Sequence, residues 1–328
     1  MKDFCVLGSG ISGSTIANLL NKEFSVEVFD KARGIGGRAS NKRYQKKLSF
    51  DHGLQYISPR NREFSRFIHL LFNKKVLKLW KGHHLNFDLF KNKIDNKYIG
   101  NKGNNEISKY LLKNVKTNLQ STISKLTYKK NYWQIELLDK KIICFRKLII
   151  TCPFPQARNL AKKYLSKKLL NKNIKMLPNI TVMFAYKGKN IPISSIKFND
   201  DLISWVSNEN SKKRFNSNLN LWTLQASLKW SIKKINKYKN DKKIMNQLIS
   251  KFIKLTGFDS NKIVYKKIHG WKYSYNYEKT SLLSYWDKKC NLGVCGDWFN
   301  GPKVENAWLS ANDLSQKIKK NPLKNKRV

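Results

Sequence analysis

Apolar runs and small or polar residues alternate from the first strand-sized segment onward. Residues 4–7 read as a buried strand, the spacing over 11–21 as a helix and 25–29 as a second strand. This βαβ pattern predicts the start of a doubly wound α/β sheet. After a glycine-rich loop at 33–38, a strand is expected over 48–57 and a helix over 62–72. The polar stretch that follows, to about Gly103, reads as loop and short strands. Residues 105–114 look helical, and 115–124, 131–138, 141–145 and 147–151 read as successive strands, with a hairpin around 139–141. From Leu177 the texture changes to alternating strands at 180–187, 192–198, 202–207 and 219–228, a long helix at 241–256 and a strand at 262–268. The end of the chain brings back a strand at 292–295, a turn at 296–302, a helix at 304–319 and a basic, frayed tail over 317–328. No internal repeat has a fixed period. The pattern predicts a discontinuous dinucleotide-binding domain (1–58, 98–170 and 285–328) with an inserted mixed α+β substrate domain (59–97 and 171–284).

Composition narrows this further. With 41% hydrophobic and 12% aromatic residues in 328, the chain has enough apolar surface for a large core, which excludes global disorder. No apolar run approaches the roughly 18–20 residues of a spanning helix, and the first strand starts too early for a signal peptide, so a cytoplasmic location is expected. The five cysteines form no CxxC pair, which argues against both a disulfide framework and a zinc site, and no metal site is expected. The net charge of +45 would ordinarily point to a polyanion. Yet 56 of the 66 basic residues are Lys and only 10 are Arg, spread along the whole chain. Nucleic-acid contacts favour Arg, so the lysines read as compositional drift rather than a nucleic-acid surface. No motif encodes an oligomeric state.

Three constellations carry chemistry. Gly8, Gly10 and Gly13, in G-S-G-I-S-G, follow a strand and open a helix, and Asp30 ends the next strand. This is the context of a dinucleotide fingerprint. Gly8 makes the tight turn, Gly10 lets backbone approach a pyrophosphate, Gly13 permits close helix packing, and Asp30 accepts from a ribose. The second is Arg33-Gly34-Ile35-Gly36-Gly37-Arg38, where glycines flanked by arginines offer another diphosphate approach. The third is Gly296-Asp297 followed by Gly301 and the helix from Val304. A carboxylate there suits a ribityl hydroxyl, and the helix N-terminus suits a reduced flavin's negative charge.

Together these strings, with FDHGLQYIS, LIITCPFPQARNLA, WTLQASLKWS, HGWKYS and LGVCGDWFNGPKVENAWLSA, resemble the flavin amine oxidase superfamily and its renalase-like branch, over nearly the whole chain. The resemblance implies a Rossmann-like FAD-binding domain of the p-hydroxybenzoate hydroxylase/amine oxidase type. It implies non-covalent FAD held by Gly8, Gly10, Ile11, Ser12, Gly13, Asp30, Lys31, Arg33, Gly36, Gly37, Arg38, Gly296, Asp297, Val304, Glu305 and Asn306, with Gln55 and Tyr56 beside the isoalloxazine. No catalytic side chain is assigned, because flavin N5 would be the reactive centre. The implied reaction is oxidation of a dihydronicotinamide isomer of NAD(P)H, with O2 as acceptor and H2O2 as product. Substrate-side candidates are His52, Trp205, Trp222, Trp271 and Tyr273, each weighed against a plain packing role. Departures from the branch lie on that side: Lys212-Lys213-Arg214-Phe215 replaces K-P-G-R, Gln225 stands for a common His, and Gly270 stands for a common basic residue. Two alternatives stay open. One is an amine oxidase or polyene desaturase; the other is an FAD fold whose basic surface binds nucleic acid or anionic membrane.

Overall fold

The structure is a computed structural model that describes residues 1–45, 47–87, 96–172 and 174–320. Strand β1 (Lys2–Leu7), helix α1 (Ile11–Leu20) and strand β2 (Val26–Phe29) form the βαβ unit that the sequence predicts. Residues Phe4 to Leu7 and all of β2 are buried, as befits parallel strands covered on both faces. A hairpin, β3 (Asn41–Arg43) with β4 (Ser49–Asp51), leads to α2 (Arg62–Asn73), whose N-cap Asn61 accepts from the amides of Glu63 and Phe64. Short strands β5 (Leu77–Leu79), β6 (His84–Asn86) and β7 (Tyr98–Gly100) follow, then α3 (Glu106–Leu111) and strands β8 (Lys116–Asn118), β9 (Ile123–Lys129), β10 (Tyr132–Leu137) and β11 (Ile142–Ile150). Helices α4 (Phe154–Ala161) and α5 (Lys167–Leu170) lead into β12 (Leu177–Tyr186), β13 (Ser195–Lys197), β14 (Ile203–Asn208) and β15 (Asn220–Ala226). The chain continues through α6 (Leu228–Lys234), α7 (Lys242–Thr256), β16 (Ile263–Tyr275), β17 (Ser284–Asp287), β18 (Leu292–Cys295) and α8 (Val304–Lys319).

Several boundaries differ from the sequence reading. The strand expected over 48–57 stops at Asp51: the Gly53 and Leu54 carbonyls accept from the side chains of Gln225 and Asn104, and pairing resumes only at Ile57, as an isolated bridge to Tyr98. Segment 115–124 divides into β8 and β9 around Gln120, which takes a left-handed φ of 54°. The two strands at 141–145 and 147–151 are the single β11, and 262–268 extends to Tyr275. Strand 219–228 ends at Ala226, since Ser227 caps α6 by accepting from the Trp230 amide. Helices α4, α5 and α6 and strand β17 are additional. Helix α8 runs to Lys319, so 317–319 are helical, and 321–328 and part of the polar stretch, 88–95, lie outside the described residues.

Two sheets organise the chain. The first has the order β17-β18-β11-β1-β2-β8, parallel from β18 to β8 with β17 antiparallel at one edge, and β10 and β9 extend from β11. Helices α1 and α8 share a core with one face, through Ile16, Ala17, Leu20, Ala311, Leu314 and Ile318. Strands β16-β12-β15-β14-β13-β6 form the second sheet, antiparallel except at the β13–β6 edge.

The period of two decides what this second sheet presents. Register aligns Trp205 with Gln225, Gln225 with Thr181 and Thr181 with His269, a polar and aromatic row across four strands on one face. One position along, Val206, Leu224, Val182 and Ile268 turn to the other face and pack with Leu248 and Phe252 of α7. One face is therefore a core, and the other meets the 53–55 segment of the dinucleotide-binding half.

Candidate functional site

The ends of β1 and β2 set the first half of the site. Gly8 sits at φ 106°, where an L side chain is strained, and a Cβ on Gly13 would collide with the Gly8 carbonyl oxygen, so α1 can lie against the turn only with glycine there. Gly10 differs: at φ −71° it suits any residue, and its Cβ would meet nothing nearer than 3.9 Å. As the N-cap of α1 it makes no side-chain cap, which leaves the first-turn N–H groups facing an open cradle. The second glycine loop closes this cradle. Gly36 (φ 124°) donates to the Ser9 carbonyl and forms a β-bridge with Gly10. The two motifs that the sequence separates by more than twenty residues are thus one structure.

Acidic residues mark both ends. Asp30 accepts from the Ser9 amide at 2.7 Å, the Ser9 hydroxyl at 2.6 Å and the Ala32 amide at 2.9 Å, which fixes it beside the glycine turn. Asp297, buried, accepts from Arg38 at 2.6 Å, and Arg38 also donates to the Ser274 carbonyl of β16. Lys31 and Arg33 are exposed at the open side of the loop. Ile11 is buried in a core shared with Ala39 and Ala307, with Val304 packed against it. Ser12 donates to the Ala307 carbonyl and ties α1 to α8. Glu305 accepts from the amides of Arg60 and Asn61, and Asn306 donates to the carbonyls of Asn300 and Gly301. Both side chains therefore shape the entry to α8, leaving its first amides as the available donors. Gly296 meets α8 through the Ser310 hydroxyl.

The segment after β4 is the other half. Gln55 is buried, donates to the Asp51 carbonyl at 2.5 Å and accepts from Ser207 at 2.7 Å. Tyr56 packs at a tilt against Trp205, ring centroids 5.5 Å apart, and the buried Trp205 indole Nε1 has no hydrogen-bond partner. His52, His269 and Trp271 form an aromatic cluster with centroids 4.4–5.0 Å apart, and the Trp271 indole donates to the His52 carbonyl. Burial, then His269, pushes His52 down to about 3. Burial and the ammonium groups of Lys42, Lys239 and Lys267 push His269 down to about 4, so both rings are neutral at pH 7. Tyr273 follows Trp271 on the same face of β16, under the Lys272 ammonium. Trp222 requires a correction. It aligns with Phe184 on the α7 face, 1% exposed and packed on Phe252 and Phe258, and is a core residue rather than a cavity wall.

The dinucleotide half matches the NAD(P)-binding Rossmann-like domain family over residues 6–71. Mouse renalase is 28% identical over 172 residues, which cover 49% of this chain and 49% of that protein, so the chain spans about half the length of the curated relative it matches. Among solved structures, a candidate protoporphyrinogen oxidase from Exiguobacterium superposes with a TM-score of 0.75 at 10% identity, covering 96% of this chain and 98% of that one. A redesigned putrescine oxidase gives 0.71 at 10% identity, over 98% and 99%. The chain has the fold of these two oxidases. Within that fold the residues present fit FAD. The Gly10 turn, the α1 and α8 starts without side-chain caps and the two flanking carboxylates are groups that could hold a diphosphate, a ribose and a ribityl chain.

A buried ionic cluster beside this site was not assigned from sequence, although Lys212 and Arg214 stood out as departures. Lys212 Nζ lies 2.9 Å from Asp51 Oδ2 and 2.8 Å from Glu209 Oε2, and Arg214 Nη1 lies 2.5 Å from Asp51 Oδ2. All four side chains are at most 3% exposed. Burial works against the Asp51 charge, but Arg214 and Lys212 overcome it and hold the carboxyl at about 2. Burial wins at Glu209 and raises its carboxyl. Glu209 and Lys212 are an i,i+3 pair, but the partner that completes the cluster, Asp51, lies about 160 residues away and is not signalled locally.

Proposed function

We propose that this protein is an FAD-dependent oxidase that takes hydride from a reduced, nicotinamide-like substrate, a renalase-like reaction. The observation that carries the reading is the junction of the two glycine loops at the Gly10–Gly36 bridge, between Asp30 on one side and the Arg38–Asp297 pair on the other. Gly8, Gly10, Gly13, Gly36 and Gly37 would present backbone to the diphosphate, Asp30 would meet the adenosine ribose, Asp297 the ribityl chain and the α8 amides the ring. When bound, FAD supplies two-electron chemistry at N5, accepting a hydride and returning two electrons with protons to O2 to form H2O2. The chain's own task is to orient and desolvate. Tyr56 and Trp205 offer aromatic faces, and Gln225 and Trp271 bond the 52–53 backbone that lies between them and the cofactor half.

The charges near the cleft bear on the substrate. Asp51 and Glu209 are tied to Lys212 and Asp297 to Arg38, so these three carboxylates are balanced by cations and none of them is left as counter-ion for a cationic amine. This favours a neutral or anionic substrate over a polyamine. The test is anaerobic mixing with 6-dihydro-NAD. Bleaching of the flavin band by that compound, and none by putrescine, is expected; the reverse result would move the protein to the amine oxidase reading.

A further inference from the structure

The cluster of Asp51, Glu209, Lys212 and Arg214 has no place in the cofactor or substrate roles above, and its cost demands a reason. Two cations and two carboxylates are withdrawn almost entirely from water, where apolar side chains of the same volume would pack with less desolvation. Its connections run to one place. Asp51 begins the segment 51–56. Its carboxylate accepts from Lys212, Arg214 and the Asn104 amide, and its carbonyl accepts from Gln55. Arg214 also donates to Asn104 Oδ1 and to the Gly100 carbonyl, and Asn104 donates to the carbonyls of Leu54 and Gln55. Glu209 directly follows β14 and is tied to the second sheet, its Oε1 accepting from Thr223 at 2.8 Å and Ser207 at 3.3 Å. The Ser207 hydroxyl also reaches Gln55 Oε1. Lys212, packed 5.1 Å under the Trp80 ring, is the one side chain of the four that bonds carboxylates of both halves.

We propose that Lys212 is a positioning residue: by bridging Asp51 and Glu209 it fixes the segment 51–56 against the second sheet and so sets the stance of Gln55 and Tyr56 toward the flavin ring. The link to the ring rests on the functional reading above; the clamp itself does not. The alternative is that Lys212 only balances charge. The full-length Lys212→Met/Glu209→Gln variant separates the two, because it removes the bridge while leaving Asp51 and Arg214 balanced.

Amide hydrogen exchange of the cofactor-free protein, thermal melting, the visible circular dichroism of bound flavin and kcat against KM are the readouts. The proposal expects a melting point close to wild type, exchange at residues 51–56 about tenfold faster, and an altered visible dichroism with lower kcat at little-changed KM. Exchange and dichroism identical to wild type would overturn it. Should the double variant not fold, Glu209→Gln alone, which keeps the Asp51–Lys212 pair, serves instead. About threefold faster exchange at 51–56 is then expected, and unchanged exchange overturns the clamp. A wild-type protein that binds no flavin would sink the functional reading, while the exchange comparison would still decide the clamp.

Discussion

Gly10→Ala separates folding from cofactor binding more cleanly than any other change at the glycine turn. The backbone at Gly10 has φ −71°, which alanine adopts freely, and the added Cβ would find its nearest neighbours at 3.9 Å, ordinary van der Waals contact. Nothing in the folded chain must move. By restricting the unfolded chain, the substitution is expected to stabilise the apoprotein by about 0.4–1 kcal/mol. The same methyl would stand in the cradle over the first-turn amides of α1, where a diphosphate must come close. Losing two charge-assisted hydrogen bonds, each worth about 1.5–3 kcal/mol, amounts to about 3–6 kcal/mol, or roughly 10²- to 10⁴-fold in Kd. Apoprotein melting and FAD titration by flavin fluorescence measure the two effects separately. An equal or slightly higher melting point with FAD affinity reduced at least a hundredfold is expected. Unchanged affinity would refute the assignment of this cradle to the diphosphate. Gly13→Ala is the contrasting control, since its Cβ meets backbone and must push α1 off β1, lowering stability as well as affinity.

Three further outcomes are expected. Asp297→Ala removes the partner of Arg38 and the proposed ribityl acceptor, and is expected to lower FAD retention at least tenfold on gel filtration while the protein stays folded. Trp205→Phe keeps the ring against Tyr56 but deletes the unpartnered indole N–H, so KM for a substrate that accepts a hydrogen bond rises with FAD retention unchanged; Trp222→Ala, in the core, instead costs about 3–5 kcal/mol in urea melts. His52 and His269 are held at about 3 and about 4, below the ordinary 6.5, so the unfolded chain takes up more protons than the folded one between those values and pH 6.5. Their contribution is complete above pH 6.5 and is lost as pH falls through 6.5 toward 4, so the urea midpoint should drop from pH 7 to pH 5, with a smaller drop in His52→Phe.

What the sequence could disclose depended on how local each feature is. The βαβ unit and the glycine loops were legible because a tight turn, a close approach and a buried parallel strand each impose residue types at fixed spacing. Trp222 was misjudged because residue type does not reveal which face of a strand it occupies; only the register with Phe184 does. The end of β4 at Asp51 was hidden because the side chains that bond the Leu54 and Gly53 carbonyls beyond it, those of Asn104 and Gln225, are distant in sequence. Lys212 stood out only as part of a departure from K-P-G-R, and nothing in that string shows that its ammonium is wholly buried between two carboxylates.

The proposed chemistry requires that the chain hold FAD, and without a covalent bond. The absorption spectrum of the purified protein between about 300 and 550 nm, before and after heat release, decides this. Bands near ~375 and ~450 nm that move wholly to the supernatant are expected. A colourless protein that cannot be reconstituted with FAD would contradict the proposal and turn attention to the lysine-rich surface and anionic polymers or membranes.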